Sequence, residues 1–324
     1  MNAYGLALKG ILLLAAFAIA TPVAAEDWPT RNVTVIVPLG PGSASDTLAR
    51  LVMDQVGRQL GHTFVIENRT GAGGTIGANL AAKAAPNGYT LLSYGALAAS
   101  NALYPKLPYD VLSDFIPVAV LGQQPLAVVT SPSKGYKTLG DLIAAAKARP
   151  GALNYSSSGA GTATHFALER LRVSAGIEAQ HIPYRGAQES LTEIMTGRVD
   201  FGVQTFSSTL QLIREGKVLA LAVSARQRSI IMPEVPTVIE AGLLPDAVYP
   251  FYSAVFLPAK TPRDIVEKLH REIARSLEAV AVRERLAAMG VEPMPMSLSE
   301  FAQFFRDVVA ANLALAKAAK LQVQ

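Results

Sequence analysis

The alternation of short β-branched runs with amphipathic helical segments constrains the fold of this chain more than any other feature. Val33–Val37 is a strand-like run that ends at Pro38 and a glycine-containing loop. Apolar residues at helical spacing follow over Thr47–Leu60. The same order of strand, loop and helix recurs along most of the chain. Strands that alternate with helices predict an α/β fold, with parallel sheets covered by helices on both faces.

The same patterns locate the remaining elements. Further strands are predicted over Thr63–Ile66, Tyr89–Leu92, Ile116–Leu121, Leu126–Thr130, Leu153–Tyr155, His181–Tyr184, Phe201–Val203, Val218–Val223 and Tyr252–Leu257. Further helices are predicted over Ile76–Ala85, Thr138–Ala148, Thr162–Ser174, Ala187–Thr196, Arg263–Ala279 and Ser299–Lys320, with another between Phe201–Val203 and Val218–Val223.

The order of these elements predicts two lobes. Residues 26–126 together with 250–324 form one lobe, and residues 127–249 form the other. The chain then crosses between the lobes twice, near Gln124-Pro125 and near Tyr249-Pro250. Two crossings make a hinge, and a hinge between two lobes creates a cleft in which a ligand can bind.

The N-terminal segment has the features of a secretory signal peptide. Lys9 precedes the apolar run Ile11–Ala20, and small residues around Ala25 offer a cleavage site. The alternative is a membrane anchor, but a spanning helix needs about 20 apolar residues and this run is broken at Thr21-Pro22. We therefore expect residues 1–25 to be removed and the mature chain to be exported without inserting into a membrane.

Charge and cysteine content exclude several classes of function. The 29 Lys and Arg against 25 Asp and Glu give a net charge of only +4, and no basic block is interleaved with aromatic residues. The sequence therefore predicts no nucleic-acid partner. With no cysteine there is no disulfide, thiolate metal site or thiol nucleophile.

The glycine-rich segment Gly71–Gly77 follows a predicted strand and opens a predicted helix, where a dinucleotide-binding motif would lie. Its spacing differs from that motif because Ile76 stands where the third glycine is required. Glycines here also permit a tight turn and close packing of a helix on a sheet, which is the interpretation we favour.

The serine-rich loop Ser156–Thr162 suggests a hydrolase, but it contains no G-x-S-x-G motif. Of the four histidines only His165 lies near this loop, in the first turn of a predicted helix, where a hydrogen-bonded capping role is more common than that of a general base. An exported serine-dependent or dinucleotide-linked enzyme stays as one alternative function, and a sensor that presents a ligand to a membrane-bound signalling protein stays as another.

His165 and Glu169 share a helix face at a spacing that can hold a metal ion. Two ligands do not complete a site, and the sequence nominates no third. We therefore expect an ordinary surface pair, with no metal and no cofactor.

The loops at residues 39–46 and 156–162 each enter a predicted helix. A Gly/Ser-rich turn before a helix leaves backbone N–H groups directed outward, with the positive end of the helix dipole behind them. Two such turns on opposite lobes would hold a carboxylate by amides alone. Plain capping of the helix starts explains either loop equally well when it is taken alone.

The mature chain resembles the Bug-type periplasmic solute receptors of tripartite tricarboxylate transporter systems. The matching segments occur in family order and are Trp28-Pro29 with Val33–Pro38 and Pro41-Gly42 to Asp46, Glu67–Arg69 with Gly71–Gly74 and Ile76-Gly77, Pro86–Leu92, Leu153–Thr162 with His165, His181–Tyr184 with Gly186, Gly197 with Val199-Asp200, Pro233 with Val235–Thr237 and Glu240–Gly242, and Pro258 with Thr261-Pro262.

The resemblance implies a two-lobed, flytrap-like receptor with two mostly parallel sheets that closes on a small carboxylate. It also implies a periplasmic, monomeric, non-enzymatic protein that delivers an organic acid to membrane permease subunits. The ligand-binding residues that it implies are Leu39, Gly40, Gly42, Ser43, Ala44, Ser45, Asp46, Ser93, Tyr94, Gly95, Ser157, Ser158, Gly159, Gly161, Thr162, His165, Tyr184 and Gly186.

Three positions depart from the family pattern. Ser43 adds a hydroxyl where the family often has paired glycines. Arg185 stands where the family often has lysine, and it can bind a second carboxylate in bidentate fashion if it points inward. Gln204 and Thr205 stand where the family often has Asp-Asn, whose Asp contacts the amino group of amino-acid ligands. We therefore add Arg185 and Gln204 to the candidate site and expect an organic acid without an ammonium group.

Overall fold

The computed structural model describes residues 28–104, 106–243, 245–249 and 251–321, so the predicted signal peptide lies outside the described residues. The strands are β1 Val33–Val37, β2 Phe64–Asn68, β3 Thr90–Ser93, β4 Phe115–Gln124, β5 Leu126–Thr130, β6 Asn154–Ser157, β7 Gln180–Pro183, β8 Phe201–Thr205, β9 Leu219–Ser224 and β10 Phe251–Pro258. The α-helices are α1 Ala44–Leu60, α2 Thr75–Ala82, α3 Ser100–Leu103, α4 Leu139–Ala148, α5 Ala163–Ala175, α6 Ala187–Met195, α7 Phe206–Arg214, α8 Arg263–Glu278, α9 Val280–Ala288 and α10 Leu298–Ala318.

The first sheet has the strand order β2-β1-β3-β10-β4. The pairs that β1 forms with β2 and β3 are parallel, as the sequence predicts, whereas β10 is antiparallel to both of its neighbours. The reversal follows from the path of the chain: β4 ends at Gln124, and β10 begins at Phe251 directly opposite it. A strand that enters the sheet at the end where its neighbour leaves must run the other way.

The second sheet has the order β7-β6-β8-β5-β9, and here β5 is the reversed strand. β5 begins at Leu126, opposite Thr205 at the end of β8 and Ser224 at the end of β9. The prediction of a two-lobed α/β fold is therefore confirmed, but each sheet is mixed rather than parallel throughout. We call the elements around the first sheet the first lobe and those around the second sheet the second lobe.

A single residue, Pro125, joins the end of β4 to the start of β5. The chain returns to the first sheet between β9 and β10, and Pro250, the second predicted hinge residue, lies outside the described residues. The strands that pair with β5 and β10 end beside the two places where the chain crosses between the sheets. The loops that follow these strands therefore meet in the cleft between the lobes. The exact residue limits of the lobes stay a prediction.

Apolar side chains of α1 and α8 cover one face of the first sheet, with Leu48, Val52, Leu269 and Ile273 fully buried among its strands. Phe256 of β10 packs against aromatic residues of α10 elsewhere in the core. The short helix α9 escaped prediction because only Val282 and Leu286 are buried and no longer apolar stripe marks it.

The C-terminal helix α10 also contacts the second lobe. Leu315 and Ala316 pack against Phe166 of α5, and Arg172 of the same helix donates to the carbonyl oxygen of Ala319 at 3.0 Å. In the described part of the chain, no helix combines the length and apolar character that crossing a membrane requires.

Candidate functional site

A cavity of about 30 Å³ lies between the two lobes. It is lined by Leu39, Ser43, Ala44, Ser45, Tyr94, Ala96, Ser158, Thr162, Ala163, Thr164, Gly186, Ala187, Gln204, Thr205 and Phe251. Residues of both lobes contribute, and none of these side chains carries a formal charge. Any group bound here is therefore held by neutral hydrogen-bonding groups and by dipoles.

Four helices begin at this cavity. Their capping and first-turn residues in its lining are Ser43, Ala44 and Ser45 of α1, Thr162, Ala163 and Thr164 of α5, Gly186 and Ala187 of α6, and Thr205 of α7. The first turn of a helix has N–H groups without acceptors inside the helix, and the helix dipole places partial positive charge there. The convergence of four such ends favours a bound anion.

The start of α1 is held by its own side chains. Ser43 Oγ caps the helix by accepting from the N–H of Asp46 at 3.3 Å, and the Asp46 carboxylate accepts from the N–H of Gly42 at 2.9 Å. Arg50 and Asn68 donate to the same carboxylate. Burial raises the pKa of Asp46, but these three donors outweigh burial and hold the pKa below its usual value.

These bonds leave two amides of the first turn available. The N–H of Thr47 donates to the Ser43 carbonyl, whereas the N–H groups of Ala44 and Ser45 have no acceptor among the described residues. The Ser45 hydroxyl is buried and also has no partner in that part of the chain. Three donors at one helix end can therefore receive a carboxylate.

Gln204 contributes a fixed acceptor to the same cavity. Its Nε2 donates to Ser190 Oγ at 2.7 Å, and the Ser190 hydroxyl donates to Ser156 Oγ at 2.8 Å. The side chain is fully buried, and Oε1 has no hydrogen-bond partner among the described residues. Thr205, which follows Gln204, occupies the N-cap position of α7 and also lines the cavity.

The serine-rich turn of the second lobe is held by its own hydroxyls. Thr162 Oγ1 donates to the carbonyl of Gly159 at 2.7 Å, and the N–H of Ser158 donates to Thr164 Oγ1 at 3.0 Å. Ser157 Oγ accepts from the N–H of Gly159 at 3.2 Å. These hydroxyls therefore hold the turn in shape.

A serine and a histidine do lie in hydrogen-bonding contact, because Ser157 Oγ is 2.7 Å from His181 Nε2. Ser157 is fully buried and does not line the cavity. Burial lowers the pKa of His181 to about 3, with a smaller contribution from His165. This pair lacks the access to substrate that a nucleophile and its base require.

His165 lies behind the turn rather than in the cavity. Its ring stacks on His181 with centroids 4.1 Å apart, and its Nδ1 accepts from the N–H of Gly161 at 3.3 Å. The expectation of a surface pair with Glu169 is wrong, because His165 is 5% exposed and Glu169 is 2% exposed. The two side chains do lie close together, with His165 Nε2 3.9 Å from Glu169 Oε1, but the pair is buried, and the other carboxylate oxygen of Glu169 pairs with Arg172 at 2.8 Å. The described residues contain no group of three or more His, Asp and Glu that could hold a metal.

A second space of about 510 Å³ adjoins the cavity and shares Leu39 and Ser158 with it. We call it the outer groove. The glycine-rich segment Gly71–Gly74 lines one side, and Tyr184 and Arg185 line the other. Arg185 is exposed and forms no ion pair with another described residue. Arg185 thus lines the outer groove and not the inner cavity.

The structure brings together most of the residues that the sequence nominated. Those in the inner cavity are Leu39, Ser43, Ala44, Ser45, Tyr94, Ser158, Thr162, Gly186 and Gln204, and those in the outer groove include Gly159, Tyr184 and Arg185. The nominated residues that line neither space are Gly40, Gly42, Asp46, Ser93, Gly95, Ser157, Gly161 and His165.

Sequence reasoning missed several lining residues. Ala163, Thr164 and Ala187 are first-turn residues of helices that begin at the predicted loops, so extending each loop into its helix would have found them. Ala96 and Phe251 have no local pattern that marks them. A larger groove of about 870 Å³ lies between α1, β2 and α9, and it has no lining residue in common with the inner cavity or the outer groove.

A family model described as "Tripartite tricarboxylate transporter family receptor" matches residues 48–321. Protein BugT of Bordetella pertussis is 36% identical over 307 residues, which are 94% of either chain. These matches extend over both lobes, and the family consists of binding receptors rather than enzymes.

Solved structures agree in fold. MatC from Rhodopseudomonas palustris, described with bound malate, is 32% identical, with a TM-score of 0.84 over 89% of this chain and 100% of MatC. A second R. palustris protein, described with adipate, is 31% identical, with a TM-score of 0.87 over 92% of this chain and 100% of the other. Small carboxylates are therefore bound by proteins of this architecture.

Proposed function

This chain belongs to the tripartite tricarboxylate transporter receptor family, and on that premise we propose that it is a periplasmic receptor for a small organic acid without an ammonium group. The acid binds in the interlobe cleft, and the closed receptor delivers it to the permease subunits of such a transporter. The receptor is exported by its signal peptide and acts as a monomer.

One observation carries the proposal: four helix N-termini converge on a cavity whose lining has no charged side chain. Partial positive charge from several helix ends stabilises a carboxylate without a lysine or arginine. The free N–H groups of Ala44 and Ser45 and the Ser45 hydroxyl are the donors that we assign to it.

The cavity is unsuited to an ammonium group. A buried ammonium needs an anionic partner, since an unpaired buried charge costs several kcal/mol. No Asp or Glu lines the cavity, and the nearby Asp46 carboxylate is committed to Gly42, Arg50 and Asn68. The neighbours described with malate and adipate also hold acids without an amino group.

Ligand entry requires the lobes to move apart. Pockets that hold a whole small molecule have volumes of about 300 to 1,000 Å³, whereas the inner cavity is about 30 Å³. Pro125 is the whole connection between β4 and β5, so rotation about this crossing can open the cleft with both sheets intact. Binding then shifts the equilibrium toward the closed form, in which both lobes contact the ligand.

The proposal is tested by titration calorimetry and thermal shift of the mature protein against a panel of organic acids and their amino-bearing analogues. An acid that binds should raise the free energy of unfolding by about 2.7 kcal/mol at 100 times its Kd. Small-angle scattering should show a smaller radius of gyration with ligand. Binding of amino acids but not of organic acids would contradict the proposal.

The transport role needs a separate experiment. Deletion of the gene should abolish uptake of the acid identified by calorimetry, and a copy that encodes the intact chain should restore it. Unchanged uptake in the deletion strain would show that the receptor presents its ligand to something other than a permease.

A further inference from the structure

We infer that the ligand of this receptor is a hydroxycarboxylic acid whose hydroxyl group donates a hydrogen bond to Gln204 Oε1. The inference rests on the proposed function, because it assigns a second group of the ligand in the same cavity. It is carried by two buried polar atoms without a partner among the described residues, Gln204 Oε1 and Ser45 Oγ, both of which belong to residues that line the cavity.

The hydrogen-bond relay behind Gln204 fixes which end of its amide is free. The Ser190 hydroxyl gives its proton to Ser156 Oγ, so the Ser190 oxygen must accept from Gln204 Nε2. The amide nitrogen is therefore occupied inside the second lobe. The relay leaves only the amide oxygen, which is an acceptor, for a hydrogen bond with the ligand.

The Gln204 Oε1 atom can only accept a hydrogen bond, so the ligand group beside it must be a donor. A carboxylate oxygen is itself an acceptor and would repel Oε1, and a methylene group would leave Oε1 buried without a hydrogen bond. An ammonium group can donate, but the lining supplies no anion to balance its charge. A neutral hydroxyl donates one hydrogen bond and brings no charge, so it satisfies Gln204 fully.

The other end of the ligand is set by the start of α1. Ser45 Oγ and the N–H groups of Ala44 and Ser45 are donors without an acceptor among the described residues, and the carboxylate provides one. The residues that carry both sets of atoms line one cavity of about 30 Å³. The hydroxyl and this carboxylate therefore lie at the same end of the ligand, as in 2-hydroxy and 3-hydroxy acids.

The test compares acids that differ by one hydroxyl. Calorimetry of the mature protein with malate and succinate, lactate and propionate, and 3-hydroxybutyrate and butyrate gives a ratio of Kd values for each pair. We expect at least one hydroxy acid to bind about tenfold more tightly than its deoxy partner, the effect of one buried neutral hydrogen bond. A preference for the deoxy acid, or none, in every pair that binds would overturn the inference.

Variants connect this preference to the named atoms. Gln204→Leu should bring the ratio close to one, while Gln227→Leu, an exposed glutamine outside the cavity, should leave it at about ten. Because both Kd values in the ratio are measured on the same variant, a moderate loss of its stability affects both equally and leaves the ratio unchanged. A tenfold preference that survives in Gln204→Leu would overturn the inference.

Ser190→Ala covers the case in which Gln204→Leu does not fold. It retains the glutamine but removes its anchor, so the amide can turn and the preference should fall severalfold; an unchanged preference would overturn the inference. Failure of all the acids to bind would instead contradict the proposed function, and binding of acids without hydroxyl preference would contradict only the present inference.

Discussion

A Cβ atom on Gly73 would lie 2.0 Å from the carbonyl oxygen of Ala160. Gly73 belongs to the glycine-rich segment of the first lobe and Ala160 to the serine-rich turn of the second, so the two lobes touch here without room for a side chain. Tyr104 of the first lobe donates to the same oxygen at 3.4 Å. The glycine that resembles part of a dinucleotide motif thus permits close approach of the lobes.

Gly73→Ala should therefore disfavour the closed form. We expect ligand affinity to fall about tenfold or more, because backbone overlap cannot be relieved by a rotamer change. Gly176→Ala is the matched control, since Gly176 has the same φ of 60° and no atom within 4 Å of its Cβ position. Titration calorimetry and small-angle scattering measure the effect. Equal affinity losses in the two variants would attribute the effect to backbone strain alone.

The Asp46 carboxylate should stabilise the fold measurably. Asp46→Asn removes a buried charge-assisted acceptor from Gly42, Arg50 and Asn68, and we expect a loss of about 1 to 3 kcal/mol in the free energy of unfolding. The control is Asp54→Asn on the same helix, whose partner Arg58 is exposed, with an expected loss below about 0.5 kcal/mol. Urea titrations check both, and similar losses would show that burial of Asp46 contributes nothing.

The stacked histidines make stability depend on pH. Burial lowers the pKa of His165 to about 4 and that of His181 to about 3. Above pH 6.5 both are neutral whether the chain is folded or unfolded, so they add no pH dependence. Below pH 6.5 the unfolded chain binds protons that the folded chain does not, and stability falls as pH falls toward 4. We expect a loss on the order of 4 kcal/mol between pH 7 and pH 5, about 2 kcal/mol from each histidine.

Urea unfolding at a series of pH values measures this loss. His181→Phe keeps an aromatic ring beside Tyr155 and His165 but cannot take up a proton. Its stability should fall less steeply than that of the wild type between pH 6.5 and pH 4. Parallel curves for the two proteins would show that the histidines are not the cause.

Local sequence patterns predicted the bounds of strands and helices well, but they did not predict the direction of every strand in its sheet. The strand Leu126–Thr130 has the predicted bounds, and the start of α8 at Arg263 was also predicted, because β-branched runs and apolar periodicity are local properties. The reversal of β5 and β10 was not predicted, since strand direction depends on where the chain re-enters a sheet. Such direction is a property of the whole path.

The same distinction holds in the site. Loops that precede helices were recognisable from glycine and serine, and nine of the nominated residues line the inner cavity. The burial of His165 and the pairing of Gln204 with Ser190 were not recognisable, because the partners of these side chains come from separate elements. Which of the two spaces Arg185 lines depends on how the lobes pack, and no local pattern shows it.

Arg185 should discriminate between acids by length. Arg185 lines the outer groove, which shares Leu39 and Ser158 with the inner cavity, so a second carboxylate should reach it only from a ligand that extends past these two residues. We expect Arg185→Gln to weaken binding of a long dicarboxylate such as adipate about threefold to fivefold, because an exposed ion pair contributes about 1 kcal/mol or less. Short monocarboxylates should bind as before.

The control is Arg226→Gln, which removes the same charge from an exposed site outside both spaces. Calorimetry at 20 and 200 mM salt measures the effect. The difference in adipate affinity between the wild type and Arg185→Gln should be smaller at 200 mM, because salt screens an exposed ion pair. Equal weakening of long and short acids in Arg185→Gln would show that the arginine acts on the whole cleft through its charge and not on a second carboxylate.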